Sequence, residues 1–486
     1  MNSRAELQVG LMLINGELVE SESAEWLDCV NPANEELIGR VPAGTRHDVE
    51  RAYQAAAAAQ PAWAALAPMA RGDYLLKVAA AMRARADEIL QVEVLDTGNT
   101  ITKMRGDVLQ AAKSLEWFAG LGTEIKGESI PASAENMHIS IREPYGVVGR
   151  IVPFNHPIKF AATAIAGPLM AGNTVIVKPP EQSPLSASIL GEICRDILPA
   201  GVVNIVMGNG LPVGDAIARH PKIKRIAFTG SVPTGMAIQR AAAEVGVKHV
   251  SLELGGKNPL IVFPDMDPVK IAEVAIGAMN FAWSGQSCGS ASRLLVHESL
   301  YDEVLRLVTE KAAALRLGDP LDPASQMGPL NSKKHYDRVC EMVRKGKDEG
   351  ARLMTGGSRP PGAQFEKGYW LQPTVFAEVT PQMTIGREEI FGPVLSVFKW
   401  KDEQEAIEIA NSTEYGLTAS IWTDDIKTAL RMAKAVQSGY IWVNGASGHF
   451  YGTSFGGFKN SGLGREEGID ELLSYTELKT IHIRLS

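Results

Sequence analysis

Residues 225–235 read RIAFTGSVPTG, an apolar strand that ends in a glycine turn and leads directly into a helix. Gly230 permits the tight turn, and Gly235 lies in the helix start, whose free N–H groups are suited to binding a pyrophosphate. The spacing is not the G-x-G-x-x-G dinucleotide fingerprint, so a plain strand-to-helix turn explains the stretch equally well. The stretch therefore predicts a strand–helix unit and leaves its ligand open.

Strands and helices alternate outward from this unit through most of the chain. Before residue 255, the predicted strands are 146–153, 174–178, 202–206 and 225–228, and the predicted helices are 157–170, 186–197, 213–219 and 233–244. After it, the predicted strands are 260–263, 293–297, 395–400, 420–423 and 440–443, and the helices are 269–282, 301–315 and one from 403. Such alternation favours parallel sheets with helices on both faces, and two series favour two α/β domains with a ligand cleft between them.

The remaining segments follow other patterns. An alanine-rich region from 48 to about 90 and a second segment, 107–121, are predicted to be helical. Residues 125–143 and 478–484 alternate apolar and polar positions as extended arms. Because exposed strand edges are usually covered by a partner chain, these arms favour an oligomer.

The composition is that of a soluble globular protein. Its 486 residues are 45% hydrophobic and 21% charged, with a formal net charge of −8, which argues against a nucleic-acid partner. The four cysteines have no CxxC spacing and the nine histidines are scattered, so neither a disulfide framework nor a metal site is expected. The apolar run at 11–14 is too short for a signal peptide or a membrane span, so we expect a cytoplasmic protein without a membrane partner.

Cys288 is the candidate nucleophile. It lies in SGQSCGS, residues 284–290, where glycine and serine neighbours leave its approach open. The thiolate is the reactive form, and a free thiol titrates near about 8.5, so a nucleophilic cysteine needs local help. Glu253, just before two glycines, could supply a base if the fold brings the two side chains together. Taken alone, a single cysteine is more often a small buried apolar residue.

Lys178 and Glu181 follow the predicted strand 174–178. A carboxylate at such a strand end can accept hydrogen bonds from both vicinal hydroxyls of a ribose and would repel a 2′-phosphate. This pair therefore favours NAD over NADP, and a solvated surface pair is the alternative interpretation.

Seven motifs in one order along the chain carry a family resemblance. They are PFN at 153–155, KPPE at 178–181, FTGS at 228–231, LELGGK at 252–257, GQSC at 285–288, EEIFGP at 388–393 and FGGFK at 455–459. With them, the chain resembles the NAD(P)-dependent aldehyde dehydrogenase superfamily over nearly its whole length.

The resemblance implies the aldehyde dehydrogenase fold, with two Rossmann-like parallel-sheet domains and a small β-arm for oligomerisation. The expected NAD-binding domain comprises 1–123 and 145–254, the catalytic domain 255–460, and the arm 124–144 and 473–486. A homodimer or homotetramer is the expected assembly.

The resemblance also implies NAD-dependent oxidation of an aldehyde to a carboxylic acid. Cys288 would attack the aldehyde to form a thiohemiacetal, and hydride transfer would leave a thioester. The Asn155 amide and the Cys288 backbone N–H would stabilise the oxyanion. Glu253 would then activate the water that hydrolyses the thioester.

Eight residues are expected by resemblance to bind NAD, with NADP as the less favoured cofactor. Lys178 and Glu181 would hold the adenosine ribose, and Gly230 and Ser231 would lie near the phosphates. Glu389 would hold the nicotinamide ribose. The remaining contacts are Phe391, Pro153 and Leu254. Asn444 would support the active-site loops without touching the reactants.

The substrate tunnel is expected to be roomy and apolar. Trp283 and Ser454 depart from the common family pattern and border it, as do His156, Lys159, Thr163, Ser287, Gly289, Phe450, Tyr451 and Phe455. Small residues beside Cys288 and aromatic residues opposite favour a bulky, apolar or aromatic aldehyde. Lys159 is either a solvated residue at the tunnel mouth or the partner of an acidic substrate.

Three other functions compete with this interpretation. A CoA-acylating semialdehyde dehydrogenase usually lacks the general-base glutamate, which is present here as Glu253. A non-catalytic structural protein on the same scaffold would not need Cys288, Glu253 and Asn155 together. A thiol hydrolase of esters or amides would leave the ribose- and phosphate-type motifs without a role.

Overall fold

The computed structural model describes residues 7–485, in which strands and helices alternate. The strands are β1 (Gln8–Val9), β2 (Met12–Ile14), β3 (Glu17–Val19), β4 (Trp26–Val30), β5 (Leu37–Pro42), β6 (Ser129–Ser133), β7 (Asn136–Pro144), β8 (Val147–Ile151), β9 (Thr174–Lys178), β10 (Val203–Ile205), β11 (Arg225–Thr229), β12 (His249–Glu253), β13 (Pro259–Val262), β14 (Arg293–His297), β15 (Arg352–Thr355), β16 (Thr374–Ala377), β17 (Val394–Trp400), β18 (Tyr415–Gly416), β19 (Thr418–Trp422), β20 (Tyr440–Val443), β21 (Phe458–Lys459), β22 (Gly462–Leu463) and β23 (Thr476–Arg484). The α-helices are α1 (Arg46–Ala64), α2 (Pro68–Ala84), α3 (Ala86–Thr97), α4 (Ile101–Ala119), α5 (Pro157–Met170), α6 (Leu185–Ile197), α7 (Asp215–Arg219), α8 (Val232–Ala243), α9 (Pro268–Ala278), α10 (Glu298–Ala313), α11 (Lys333–Asp348), α12 (Thr384–Arg387), α13 (Glu403–Asn411), α14 (Ile426–Ala435) and α15 (Ile469–Leu473).

The first large sheet has eight strands in the order β22-β12-β11-β8-β9-β10-β2-β3. Its five central strands are parallel, and β2, β3 and β22 add antiparallel edges. Every residue of β8, β9 and β11 is buried, as expected for strands covered by helices on both faces. The carboxyl ends of these strands share one edge of the sheet, which is where ligands bind in such folds.

The second large sheet has seven strands in the order β15-β16-β17-β14-β13-β19-β20, parallel except for β15. In 395–443 the three strands β17, β19 and β20 and the helix α13 were predicted, whereas β18 and α14 were not. Strands β15 and β16 and helix α11 lie in 316–394, which the sequence analysis left unassigned. The α/β class with two parallel sheets is confirmed. The proposed domain limits stay a prediction, and residues 1–6 and 486 of those ranges lie outside the described residues.

Several predicted helix limits were wrong. The region from 48 to 90 is divided into three helices, and α4 begins at Ile101 rather than at 107. Gly98, in the left-handed conformation with φ of 76°, ends α3 and separates it from α4. The predicted helix 269–282 ends at Ala278, because Asn280 has a φ of 57° and turns the chain into a short 3-10 segment.

The predicted arms form a separate three-stranded antiparallel sheet, β23-β7-β6. Thr476 pairs with Pro144 at one end and Arg484 with Asn136 at the other. Exposed apolar side chains on this sheet include Ile130, Met137 and Leu478. No helix of the described residues is both long and apolar enough to cross a membrane.

Candidate active site

A cavity of about 780 Å³ opens along the carboxyl edge of the first sheet. All the residues predicted for catalysis or cofactor binding line it, namely Asn155, Glu253, Cys288, Pro153, Lys178, Glu181, Gly230, Ser231, Leu254, Glu389 and Phe391. Cys288, Glu389 and Phe391 come from the part of the chain that builds the second sheet, so the cavity lies between the two sheets.

One end of the cavity carries the Lys178–Glu181 pair. The buried Lys178 ammonium donates to Glu181 Oε2 at 2.8 Å and to the Pro179 carbonyl at 2.9 Å. Burial lowers the pKa of Lys178, and the neighbouring carboxylate opposes that shift. Burial works against ionisation of Glu181, yet the charge and hydrogen bond of Lys178 keep the pKa of Glu181 below its usual value. Glu181 thus presents a charged, partly exposed carboxylate to the cavity, which fits a ribose diol.

The start of α8 forms the next part of the wall. Ser231 is its N-cap residue, and the Ser231 and Thr234 hydroxyls are 2.9 Å apart. Gly235 allows the first turn of α8 to pack closely on the end of β12, since a Cβ there would lie 2.9 Å from Leu254 Cδ2. The free N–H groups of this helix start therefore face a confined space, which suits phosphate.

The Glu389 carboxyl lies against the two glycines of the LELGGK motif. Its Oε1 accepts from the Gly256 N–H at 3.0 Å, and a Cβ on Gly255 would lie 2.0 Å from its Oε2. Burial raises the pKa of Glu389 to about 7, with the Gly256 hydrogen bond and Arg338 opposing. A Cβ at position 255 would therefore force the Glu389 carboxyl to shift.

Lys334, His335 and Arg338 of α11 are among the cavity residues that the sequence analysis missed. His335 Nε2 donates to the Phe391 carbonyl at 2.6 Å, and Arg338 donates to the Glu389 carbonyl at 3.1 Å. This helix therefore braces the backbone of the Glu389–Phe391 turn. The amphipathic pattern of 333–348 could have predicted a helix, but no motif in it indicates this position.

The side chain of Asn258 fixes the loop that carries Cys288. The Asn258 side-chain amide donates to the Cys288 carbonyl at 2.6 Å and to the Ser290 carbonyl at 2.9 Å. Burial raises the pKa of Cys288 to about 12, the carboxylates of Glu389 and Glu253 add to the shift, and Lys159 and the Gly289 N–H oppose it. The thiol is therefore protonated at neutral pH, and its activation requires a base.

Glu253 ends β12 and is 5% exposed. Neither of its carboxyl oxygens has a hydrogen-bond partner in the described part of the chain. Burial raises its pKa well above the usual carboxyl range, and the nearby Glu466 adds to that shift. A Cβ on Gly456 would lie 2.8 Å from Glu253 Oε1, so the FGGFK glycine makes room for this carboxyl. A buried carboxyl without partners readily holds a proton, which suits a general base.

Asn155 is fixed just before α5. Asn99 donates its side-chain N–H to the Asn155 carbonyl at 3.2 Å, and Glu93 accepts from the Ile158 N–H at 3.2 Å. These hydrogen bonds fix the backbone around Asn155. Asn155 itself lines the cavity together with Cys288.

Several of the residues predicted to border the tunnel are aromatic and pack on other rings. His156 Nδ1 is 2.5 Å from Asp107 Oδ2, and its ring packs edge-on to Trp283 at 5.5 Å between centroids. Tyr451 stacks on Trp117 at 5.8 Å, and Phe450 is 73% exposed.

Other predicted positions make hydrogen bonds to neighbouring segments. The Ser454 hydroxyl donates to Asp470 at 2.7 Å. Asn444 accepts from the Thr423 N–H and donates to the Thr423 carbonyl, which ties its loop to β19. In residues 7–485 no group of three or more His, Cys, Asp and Glu side chains could hold a metal ion.

The model of the Aldehyde dehydrogenase family matches residues 18–481. The chain belongs to this family. The chain is 44% identical over 465 residues to the aldehyde dehydrogenase tropH of Talaromyces stipitatus. That alignment covers 94% of this chain and 90% of the relative. The fold is that of an aldehyde dehydrogenase, and the chain is an enzyme of that class.

Several solved relatives carry nucleotide ligands, and two of them illustrate the range. The NAD+ complex of an aldehyde dehydrogenase from Bacillus cereus matches with a TM-score of 0.95 and 37% identity, over 99% of this chain and 97% of that one. A 3,6-anhydro-L-galactose dehydrogenase in complex with NAP matches with a TM-score of 0.95 and 35% identity, over 98% of this chain and 100% of that one.

Proposed function

We propose that this aldehyde dehydrogenase oxidises a bulky, apolar or aromatic aldehyde to a carboxylic acid with NAD, through a thiohemiacetal and a thioester on Cys288. One observation carries the proposal: a single cavity unites Cys288, Glu253 and Asn155 with a charged Glu181 and the N-terminus of α8. A nucleophile, a base and an oxyanion donor thus adjoin a groove with the chemistry of a dinucleotide site.

The first step is attack of the Cys288 sulfur on the aldehyde carbon. The thiol must lose its proton, and Glu253 is the buried carboxyl near it whose raised pKa suits accepting that proton. An S–C bond forms, and the carbonyl oxygen becomes an oxyanion. The Asn155 amide and the Cys288 N–H would donate hydrogen bonds to that oxygen.

Asn155→Ala is expected to lower turnover by about 10²- to 10³-fold, because one oxyanion donor is lost. NAD affinity should be nearly unchanged, since the cofactor contacts do not depend on this amide. Steady-state kinetics and NAD titration measure both quantities. A loss of NAD affinity equal to the loss of turnover would contradict the assignment.

The residues of the cavity fit a nicotinamide dinucleotide. Glu181 would accept from the adenosine ribose hydroxyls, Glu389 from the nicotinamide ribose, and the N–H groups after Gly230 and Ser231 would bind the pyrophosphate. When bound, the nicotinamide supplies the hydride acceptor. One relative holds NAD+ and another NAP, and the charged Glu181, which repels a 2′-phosphate, favours NAD here.

The last step is hydrolysis of the thioester by a water that Glu253 deprotonates. The water oxygen bonds to the acyl carbon, the C–S bond breaks, and the acid leaves while the sulfur regains a proton. The presence of Glu253 favours water over CoA as the acyl acceptor.

A spectrophotometric assay of NADH formation tests the proposed function. Purified enzyme should oxidise aromatic and bulky aliphatic aldehydes without CoA, faster with NAD than with NADP. Strict dependence on CoA, or the absence of oxidation with any aldehyde together with no NAD binding by calorimetry, would contradict it.

The arm sheet β23-β7-β6 supports a homodimer or homotetramer, since it exposes Ile130, Met137 and Leu478 along its strands. A monomeric mass by light scattering at micromolar concentration would contradict this assembly. A cytoplasmic location stays a prediction from the sequence.

A further inference from the structure

Phe391 has a strained backbone in the wall of the cavity. Its φ is 58°, in the left-handed region that residues other than glycine rarely adopt. Strain of this kind persists where the surrounding contacts enforce it, and it clusters at sites that must hold one geometry. The side chains of Glu389 and Phe391, at either end of this turn, both line the cavity. The contacts that enforce the turn therefore also fix these two side chains.

The His335 ring supplies the contact that fixes the Phe391 carbonyl. Its Nε2 donates to that oxygen at 2.6 Å. Burial lowers the pKa of His335 to about 4, so the ring is neutral at physiological pH. Because a carbonyl can only accept, the single ring proton must lie on Nε2. The hydrogen bond fixes the direction of the carbonyl, and with it the ψ angle of Phe391.

Aromatic packing adds to this hydrogen bond. The rings of Phe154, His335 and Phe391 pack edge-on to one another, with all three pairs of centroids between 5.6 Å and 5.9 Å apart. Phe154 directly precedes Asn155, the proposed oxyanion donor. The His335 ring therefore contacts both the turn at Phe391 and the segment that carries the oxyanion donor.

The same part of the chain also contacts the loop of the proposed nucleophile. Just before α11, the Asn331 N–H donates to Gln286 Oε1 in that loop at 3.0 Å. Gly285 of the loop lies directly against the turn, since a Cβ on it would lie 2.2 Å from the Gly392 carbonyl oxygen. A Cβ on Gly392 would in turn lie 2.7 Å from Cγ1 of Val339 on α11. The turn is therefore in close contact with both α11 and the nucleophile loop.

We propose that His335 is a positioning residue for hydride transfer: its Nε2–H holds the Phe391 turn so that the nicotinamide half of the cofactor lies against the aldehyde carbon on Cys288. The proposal rests on the proposed function and adds to it a residue that acts through the backbone of the turn. Hydride transfer depends steeply on the distance between donor and acceptor carbons, so a shift of about 1 Å can cost on the order of 10²-fold in rate. The adenosine half, which we assign to Glu181, does not depend on this turn.

Two substitutions separate the ring of His335 from its hydrogen bond. His335→Phe keeps an aromatic ring and removes the donor, whereas His335→Gln removes the ring and keeps an N–H donor at similar reach. In single-turnover measurements with saturating NAD and benzaldehyde, NADH formation should slow about 10- to 100-fold in His335→Phe. His335→Gln should recover most of that rate. Tyr336→Phe, on the same helix but outside the cavity lining, is the matched control and should keep the wild-type rate.

Measurements without turnover separate this proposal from the proposed function. The fluorescence of bound NADH reports the surroundings of the nicotinamide ring, so it should change in His335→Phe and return in His335→Gln. The affinity for ADP, measured by calorimetry, should stay at the wild-type value in all variants. The rate at which iodoacetamide alkylates Cys288 should also stay unchanged. If no aldehyde is oxidised, the fluorescence of bound NADH still decides the role of His335.

Wild-type NADH formation and wild-type NADH fluorescence in His335→Phe would overturn the proposal, because the donor would then have no effect. Equal losses in His335→Phe and His335→Gln would overturn it as well, because they would show that the ring is needed and the hydrogen bond is not. A loss of ADP affinity or an altered alkylation rate would contradict it by showing a general structural role.

Discussion

Cys288→Ala is expected to abolish aldehyde oxidation, with a loss on the order of 10⁴-fold or more, because the covalent route disappears with the sulfur. NAD affinity should stay nearly intact, since the residues proposed to hold the cofactor, Lys178, Glu181 and Glu389, do not include the thiol. NADH fluorescence measures the first quantity and calorimetry the second.

Cys340→Ala is the matched control for this experiment, because Cys340 is also a free, partly buried thiol but lies on α11 outside the cavity. It should retain wild-type turnover. Activity of the Cys288 variant within about tenfold of the wild type would show that the rate does not depend on a covalent nucleophile at this position.

Glu253→Gln is expected to release one equivalent of NADH per site and then stall. Loss of Glu253 slows acylation of Cys288, whose thiol proton can still pass to bulk water. It blocks hydrolysis of the thioester, because the attacking water needs the base in every cycle. The steady-state rate should fall by about 10²- to 10⁴-fold. Stopped-flow fluorescence resolves the burst from the steady state.

The pH dependence gives a second readout of Glu253. Burial holds its pKa well above the usual carboxyl range, so the base is protonated and inactive at low pH. Wild-type turnover should therefore rise as pH increases through that pKa, and the rise should vanish in Glu253→Gln. Glu388→Gln, at the exposed neighbour of Glu389, should keep the wild-type profile. Steady turnover by the Glu253 variant would mean that another group activates the water.

The sequence alone predicted the parts of the site that lie in short, local motifs. Gly255 illustrates this, because it belongs to the LELGGK motif and lies directly against the Glu389 carboxyl, where a Cβ would force that group to shift. The strand–turn–helix signal of 225–235 likewise predicted β11 and α8, and Gly230 and Ser231 of the turn between them line the cavity.

Contacts between distant segments were not predictable. His335 and Arg338 meet the Glu389–Phe391 turn through tertiary packing, and nothing in their own segment indicates that contact. The breaks between α1, α2 and α3 were missed because alanine-rich sequence favours helix throughout. The electrostatics of Cys288 also needed coordinates, since burial and two carboxylates, all remote in sequence, raise its pKa.

Mass spectrometry of Glu253→Gln, quenched after the NADH burst with benzaldehyde and NAD, tests the covalent route most directly. The account predicts one benzoyl group per chain, located by peptide mapping on Cys288. NADH formation with Cys288 unmodified, or an acyl group on another residue, would contradict it.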